Sequence, residues 1–118
     1  MKIMSFNCRG LARPIKLSAF KRMCSLEHPD VIMLQETLGV GDEIKAILES
    51  WMPGWSFVTL DVRGRSGGLV VGWNERCVKM LNSWGMGSAL GLHFLGVDLG
   101  ETFTVVNIYG PYLNRIPF

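Results

Sequence analysis

The chain has 118 residues, 48% of them hydrophobic, and a formal net charge of +2. That length allows one domain at most, and the apolar content supports a packed core and excludes an intrinsically disordered chain. The small positive charge is compatible with a nucleic-acid partner but falls short of the strongly basic balance that would indicate one unaided.

Lys2 to Phe6 reads as a strand, with Ile3, Met4 and Phe6 supplying the apolar side chains. Arg9-Gly10-Leu11 follows as a loop. Pro14 suits the first turn of a helix, where its missing N–H needs no partner. Ile15, Ala19, Phe20, Met23 and Leu26 then recur at helical spacing, with Lys16, Lys21 and Arg22 at other positions. Pro29 closes that helix. Val31 to Leu34 is continuously apolar, as expected of a strand buried on both faces. Asp42 is placed to cap a second helix, whose stripe is Ile44, Ile47, Leu48 and Trp51 and whose end is Pro53-Gly54. Trp55 to Leu60 reads as a strand, Asp61 to Gly67 as a polar loop, Leu69 to Trp73 as another strand, and Asn74-Glu75-Arg76 as a turn. Val78 to Trp84, Leu90 to Leu99 and Thr102 to Tyr109 complete the set. Within Leu90 to Leu99 the alternation changes phase, which a bulge or burial on both faces would explain.

There is no internal repeat, low-complexity tract or linker. The order strand–helix–strand–helix followed by strands implies a layered α/β arrangement with helices on a largely antiparallel sheet. Cys8, Cys24 and Cys77 are too widely spaced for a disulfide framework or a zinc ligand set, so a reducing compartment is expected. No apolar run approaches the roughly 20 residues of a membrane span. A strand-like pattern from Met1 leaves no room for a signal peptide, so the expected setting is nuclear or cytoplasmic rather than secreted, with no membrane partner.

Two segments carry the chemistry. Met1-Lys2-Ile3-Met4-Ser5-Phe6-Asn7-Cys8-Arg9-Gly10-Leu11 and His28-Pro29-Asp30-Val31-Ile32-Met33-Leu34-Gln35-Glu36-Thr37 each hold a short apolar run that stops at polar residues, Asn7 in one and Gln35 and Glu36 in the other. Strands deliver polar side chains to the mouth of a site in this way. The plainer alternatives stay open at this point. Glu36 also fits a solvated strand end, Asn7 a loop cap toward Gly10, and Tyr109 a core residue at a strand end. Arg63 and Arg65, beside Gly64 and Gly67, fit either phosphate tracking or a solvated hairpin loop. Lys16, Lys21 and Arg22 fit a solvated helix face. His28 and His93 fit structural roles better than ligation. Trp51, Trp55, Trp73 and Trp84 fall where core anchors would.

At Asn7, at Gln35-Glu36-Thr37 and at Asn107-Ile108-Tyr109-Gly110-Pro111 the chain resembles the endonuclease/exonuclease/phosphatase superfamily. It is most similar to the endonuclease domain of plant-type LINE retrotransposons, and Ser66-Gly67-Gly68-Leu69 resembles the glycine-containing loop of that family. The resemblance implies a partial four-layer α/β-sandwich, mainly one mixed or antiparallel sheet with two helices. It implies Mg²⁺- or Mn²⁺-dependent hydrolysis of DNA phosphodiesters. Glu36 then matches the metal-binding glutamate, Asn7 the asparagine that supports metal and phosphate, and Tyr109 the tyrosine that faces phosphate. Arg63, Arg65 and Ser66 are the candidates for nucleic-acid contact.

The chemistry suits these types. Mg²⁺ prefers oxygen ligands and often takes one or two carboxylates plus substrate phosphate. The family's later Gly-Asp-x-Asn, aspartate and Ser-Asp-His segments have no counterpart downstream of Tyr109. The expectation is therefore a cation held weakly and little activity from these residues alone. The alternative class is a non-catalytic remnant that binds protein or nucleic acid. If the chain supplied about one sheet, a face of that sheet would be bare and open to a protein partner.

Overall fold

A computed structural model describes residues 1–61 and 68–109. The elements run β1 (Ile3–Asn7), α1 (Pro14–Glu27), β2 (Val31–Gln35), α2 (Gly41–Trp51), β3 (Trp55–Leu60), β4 (Leu69–Asn74), β5 (Val78–Met86), β6 (Ala89–Gly96) and β7 (Thr102–Ile108). The mixed α/β class and the two helices are as the sequence implies. The strands, expected chiefly in one sheet, divide into two. A four-stranded sheet has the order β1-β2-β4-β3, and a three-stranded sheet the order β5-β6-β7. In the first sheet β1 and β2 are parallel, and β4 runs antiparallel to both β2 and β3. The second sheet is antiparallel throughout.

The continuous apolar run of β2 explains the layering. Ile32 and Leu34 face the helices and join Phe20, Ile44, Leu48 and Phe57 in one core. Val31 and Met33 face the other way, into a second core built with Leu69, Val71 and Trp73 of β4 and with Val78, Leu90, Leu92, Phe94 and Val105 of the second sheet. The order is therefore helices, first sheet, second sheet. The face of the first sheet that a one-sheet arrangement would leave bare is covered by the second sheet. Bare apolar surface lies instead on the outer side of the second sheet, where Trp84, Met86, Val106 and Ile108 are exposed.

Several local expectations change. In α1 the buried face is Phe20, with Leu17, Met23 and Cys24 packed beside it, whereas Ile15 and Leu26 are exposed. Asp42 lies inside the first turn of α2 and does not cap it; the Gly41 N–H donates instead to Oδ1 of Asp61, 3.0 Å away, from the end of β3. The phase change after Phe94 is neither a bulge in β6 nor two-sided burial. β6 stops at Gly96, and Val97 and Leu99 lie in an exposed turn. The bulge sits in the neighbouring strand, between Met80 and Asn82 of β5. No described helix is long and apolar enough to cross a membrane.

Candidate functional site

β1 and β2 end side by side, with Asn7 and Gln35 as register partners. The two chains stay joined past their strand ends. The N–H groups of Cys8, Gly10 and Leu11 donate to the carbonyls of Gln35, Glu36 and Thr37 at 2.8, 2.9 and 3.2 Å. Holding this contact requires a sharp turn, and both loops take it in the left-handed region: Arg9 has φ 48°, Gly10 97°, Glu36 54° and Leu38 51°. Such conformations are costly for residues with a Cβ and cluster where the surroundings force them. In Glu36 the left-handed backbone breaks the strand alternation and turns the carboxylate toward β1. There the Asn7 side-chain N–H donates to Oε2 of Glu36. Asn7 is exposed and Glu36 half-buried, so the pair lies at an open mouth.

The second sheet closes the other side of that mouth. Asn107 is only 1% exposed, and its amide is fully used. Its Nδ2 donates to the carbonyls of Leu34 and Val70 at 2.9 and 3.0 Å. Its Oδ1 accepts from Nε2 of Gln35 at 2.8 Å, and the same nitrogen donates to Oγ of Ser5 at 3.0 Å. Tyr109 follows two residues later on the same inward parity. Its N–H donates to the Ser88 carbonyl at 2.8 Å, and its half-buried ring packs against the core between the sheets. Asn7 and Glu36 thus touch directly, while Tyr109 stands at the same end of the molecule on the facing sheet. Arg63, Arg65 and Ser66 lie outside the described residues.

The two histidines lie elsewhere. His28 caps α1 at the opposite end of β2, and Nδ1 of His93 is 2.8 Å from Oγ1 of Thr104 on the outer side of the second sheet. Cys8, buried beneath the mouth, has its thiol pushed up to about 12 by burial first and by the Glu36 charge second, opposed by Lys16. Its thiol points to the Phe6 carbonyl, 3.7 Å away, and walls the site from below. Among the described residues no cluster of three or more His, Cys, Asp or Glu side chains could enclose a metal. One carboxylate and one amide oxygen remain. That donor set fits a hard cation which keeps several waters and takes a substrate phosphate; it does not fit a closed protein cage.

A family model described as the Endonuclease/Exonuclease/phosphatase family matches residues 4–112. The chain belongs to this family. Among solved members, the AP endonuclease LMAP from Leishmania major is 25% identical, with a TM-score of 0.66 over 92% of this chain and 39% of its own. The human Nocturnin catalytic domain, solved with bound sulfate, is 14% identical, with a TM-score of 0.72 over 90% and 48%. An endonuclease/exonuclease/phosphatase family protein from Bacteroides thetaiotaomicron is 12% identical, with a TM-score of 0.73 over 98% and 52%. The chain thus spans about half or less of the length of these solved relatives. No curated protein matches it.

Family membership makes a phosphoester-hydrolase fold the frame for the mouth. Within it the sequence reading placed Gln35 among the polar residues at the strand end and Asn107 in the family-like run but gave neither a role of its own; the structure joins the two by a hydrogen bond between the sheets. A signal was present. In Thr104-Val105-Val106-Asn107-Ile108 an asparagine falls on the parity of Val105, the buried residue of that run. A buried amide must find partners, and neighbours within its own strand do not supply them.

Proposed function

We propose that the mouth at Asn7 and Glu36 holds Mg²⁺ or Mn²⁺ together with a phosphate of DNA, and that the chain carries this part of a LINE-type endonuclease site. The carrying observation is the hydrogen bond that joins Asn7 to Glu36 at the open end between the two sheets. Glu36 would supply the carboxylate. Asn7 orients that carboxylate through its N–H and offers Oδ1 as a neutral acceptor. Tyr109, on the facing sheet, would donate its hydroxyl to a phosphate oxygen as charge develops. Arg63, Arg65 and Ser66 would follow the DNA backbone. A bound cation would polarise the phosphate and steady the leaving oxygen. DNA is favoured by the resemblance of the two opening segments, and the net charge of +2 is compatible with it. Among similar solved structures the Leishmania protein is an AP endonuclease and D. rerio TDP2 was solved with a single-strand DNA product, while others are phosphatases.

The second reading, a non-catalytic binding module, is favoured by a specific feature. Glu36 is the one carboxylate described at the mouth, and both histidines stand away from it. General-base assistance is worth about 10²–10⁴-fold. These 118 residues alone are therefore expected to bind Mn²⁺ weakly and to leave supercoiled plasmid intact with Mg²⁺. Robust nicking that disappears in Glu36→Gln would overturn the non-catalytic reading. Mn²⁺ affinity indifferent to Glu36→Gln would overturn the site itself.

A further inference from the structure

We infer that Asn107 is a positioning residue for Glu36, acting through Gln35 and setting the facing sheet, with Tyr109, at its distance from the mouth. The inference rests on the reading of the mouth as a cation site.

The buried amide has two arms with different destinations. One arm, Nδ2, donates to the Leu34 and Val70 carbonyls, which belong to register partners on β2 and β4. It fixes the backbone one residue before Gln35 and ties β7 to the centre of the first sheet. The other arm, Oδ1, accepts from Gln35. The two hydrogens of the Gln35 amide are thereby directed to Asn107 and Ser5, at 2.8 and 3.0 Å, with the Met33 carbonyl farther off at 3.4 Å. The side-chain amide plane of Gln35 is set, and its backbone carbonyl is held by the Cys8 N–H. Glu36 follows at once with φ 54°. A left-handed glutamate persists only where its neighbours leave no alternative. The Gly10 N–H holds the Glu36 carbonyl directly, at 2.9 Å. Asn107 adds to that constraint from the second sheet by fixing Leu34 and Gln35, on the strand that continues into Tyr109. Both sides of the mouth are located by one amide.

A structural clamp and a positioning residue differ in what they move. The test uses the 118-residue chain, Mn²⁺ titrated at low temperature, and circular dichroism to confirm folding. Asn107→Leu removes both arms. Gln35→Met cuts the arm toward the mouth and leaves the backbone arm, so it decides the matter if the leucine variant does not fold. Partners that orient a metal ligand typically change metal affinity about 10–100-fold when lost. Each folded variant is expected to weaken Mn²⁺ about tenfold. The double variant is expected to weaken it no further than Asn107→Leu alone, because both changes cut one path. Wild-type affinity in folded Gln35→Met or Asn107→Leu, with affinity lost in Glu36→Gln, would overturn the positioning role while leaving the site intact. Indifference of Mn²⁺ to Glu36→Gln would instead remove the site, and the positioning role with it.

Discussion

Cys8 follows Asn7 directly, and its environment makes a measurable statement about the mouth. The thiol rises from its ordinary 9.0 to about 12, and the Cys24 thiol to about 11, both chiefly by burial. Between these values the unfolded chain has lost protons that the native chain retains. The unfolded state then binds fewer protons, so stability falls as pH rises from about 9 toward 12. Below pH 9 the contribution is complete. Cys8→Ala is expected to lose stability below pH 9 through its small cavity, and to show a shallower decline between pH 9 and 11, so that the two curves converge; chemical denaturation at a series of pH values measures the slope. An unchanged slope would mean that Cys8 ionises as freely in the native state as in the unfolded one. At this scale the sequence was legible where a residue's type already names its chemistry, as with the carboxylate of Glu36 or the amide of Asn7. It was not legible where the role depends on a partner far along the chain, as with Asn107, whose partners are 37, 72 and 73 residues away.

Most elements could be read closely, because strand runs such as Trp55 to Leu60 and the continuously apolar Val31 to Leu34 are bounded by turn residues, although the run read to Leu99 stops at Gly96. The misreadings have a common cause: local pattern cannot see which neighbour arrives. In α1 two helical stripes compete, and the one through Leu17, Phe20 and Cys24 meets the sheet, leaving Ile15 and Leu26 outside. The cap of α2 comes from Asp61 rather than from the nearby Asp42. Gly68 shows the same dependence at the mouth. It enters β4 with φ +109°, and its missing Cβ leaves room for Oγ1 of the buried Thr37, next to Glu36. Gly68→Ala combines an unfavourable backbone with a clash, and is expected to cost about 1–3 kcal/mol. Thr37→Ala removes the clashing oxygen but not the backbone cost. The double variant should therefore lose less than the two single losses summed, a difference that urea titrations resolve. Simple additivity would show that the alanine is accommodated without meeting Thr37.

At the scale of the whole molecule, the fold is two cores sharing one sheet, and the outer side of the second sheet belongs to neither. The apolar face was expected on the wrong sheet because alternation alone does not reveal how strands divide between sheets. β7 makes the contrast within three residues. Val105 points into the core between the sheets at 6% exposure, while Val106 and Ile108 point outward at 45% and 63%. Exposed positions usually tolerate substitution within about 0.5 kcal/mol. A lysine in place of Val105 would instead bury an unpaired charge, which costs several kcal/mol or more. The pair Val106→Lys and Ile108→Lys is accordingly expected to melt near the wild-type temperature and Val105→Lys to lose the cooperative transition. Because a contiguous apolar face promotes association, the double lysine variant should also sediment as a smaller or less polydisperse species than the wild type at equal concentration. A double variant that unfolds would mean that Val106 and Ile108 are covered in the folded chain, and the division of the strands into inner and outer faces would have to be redrawn.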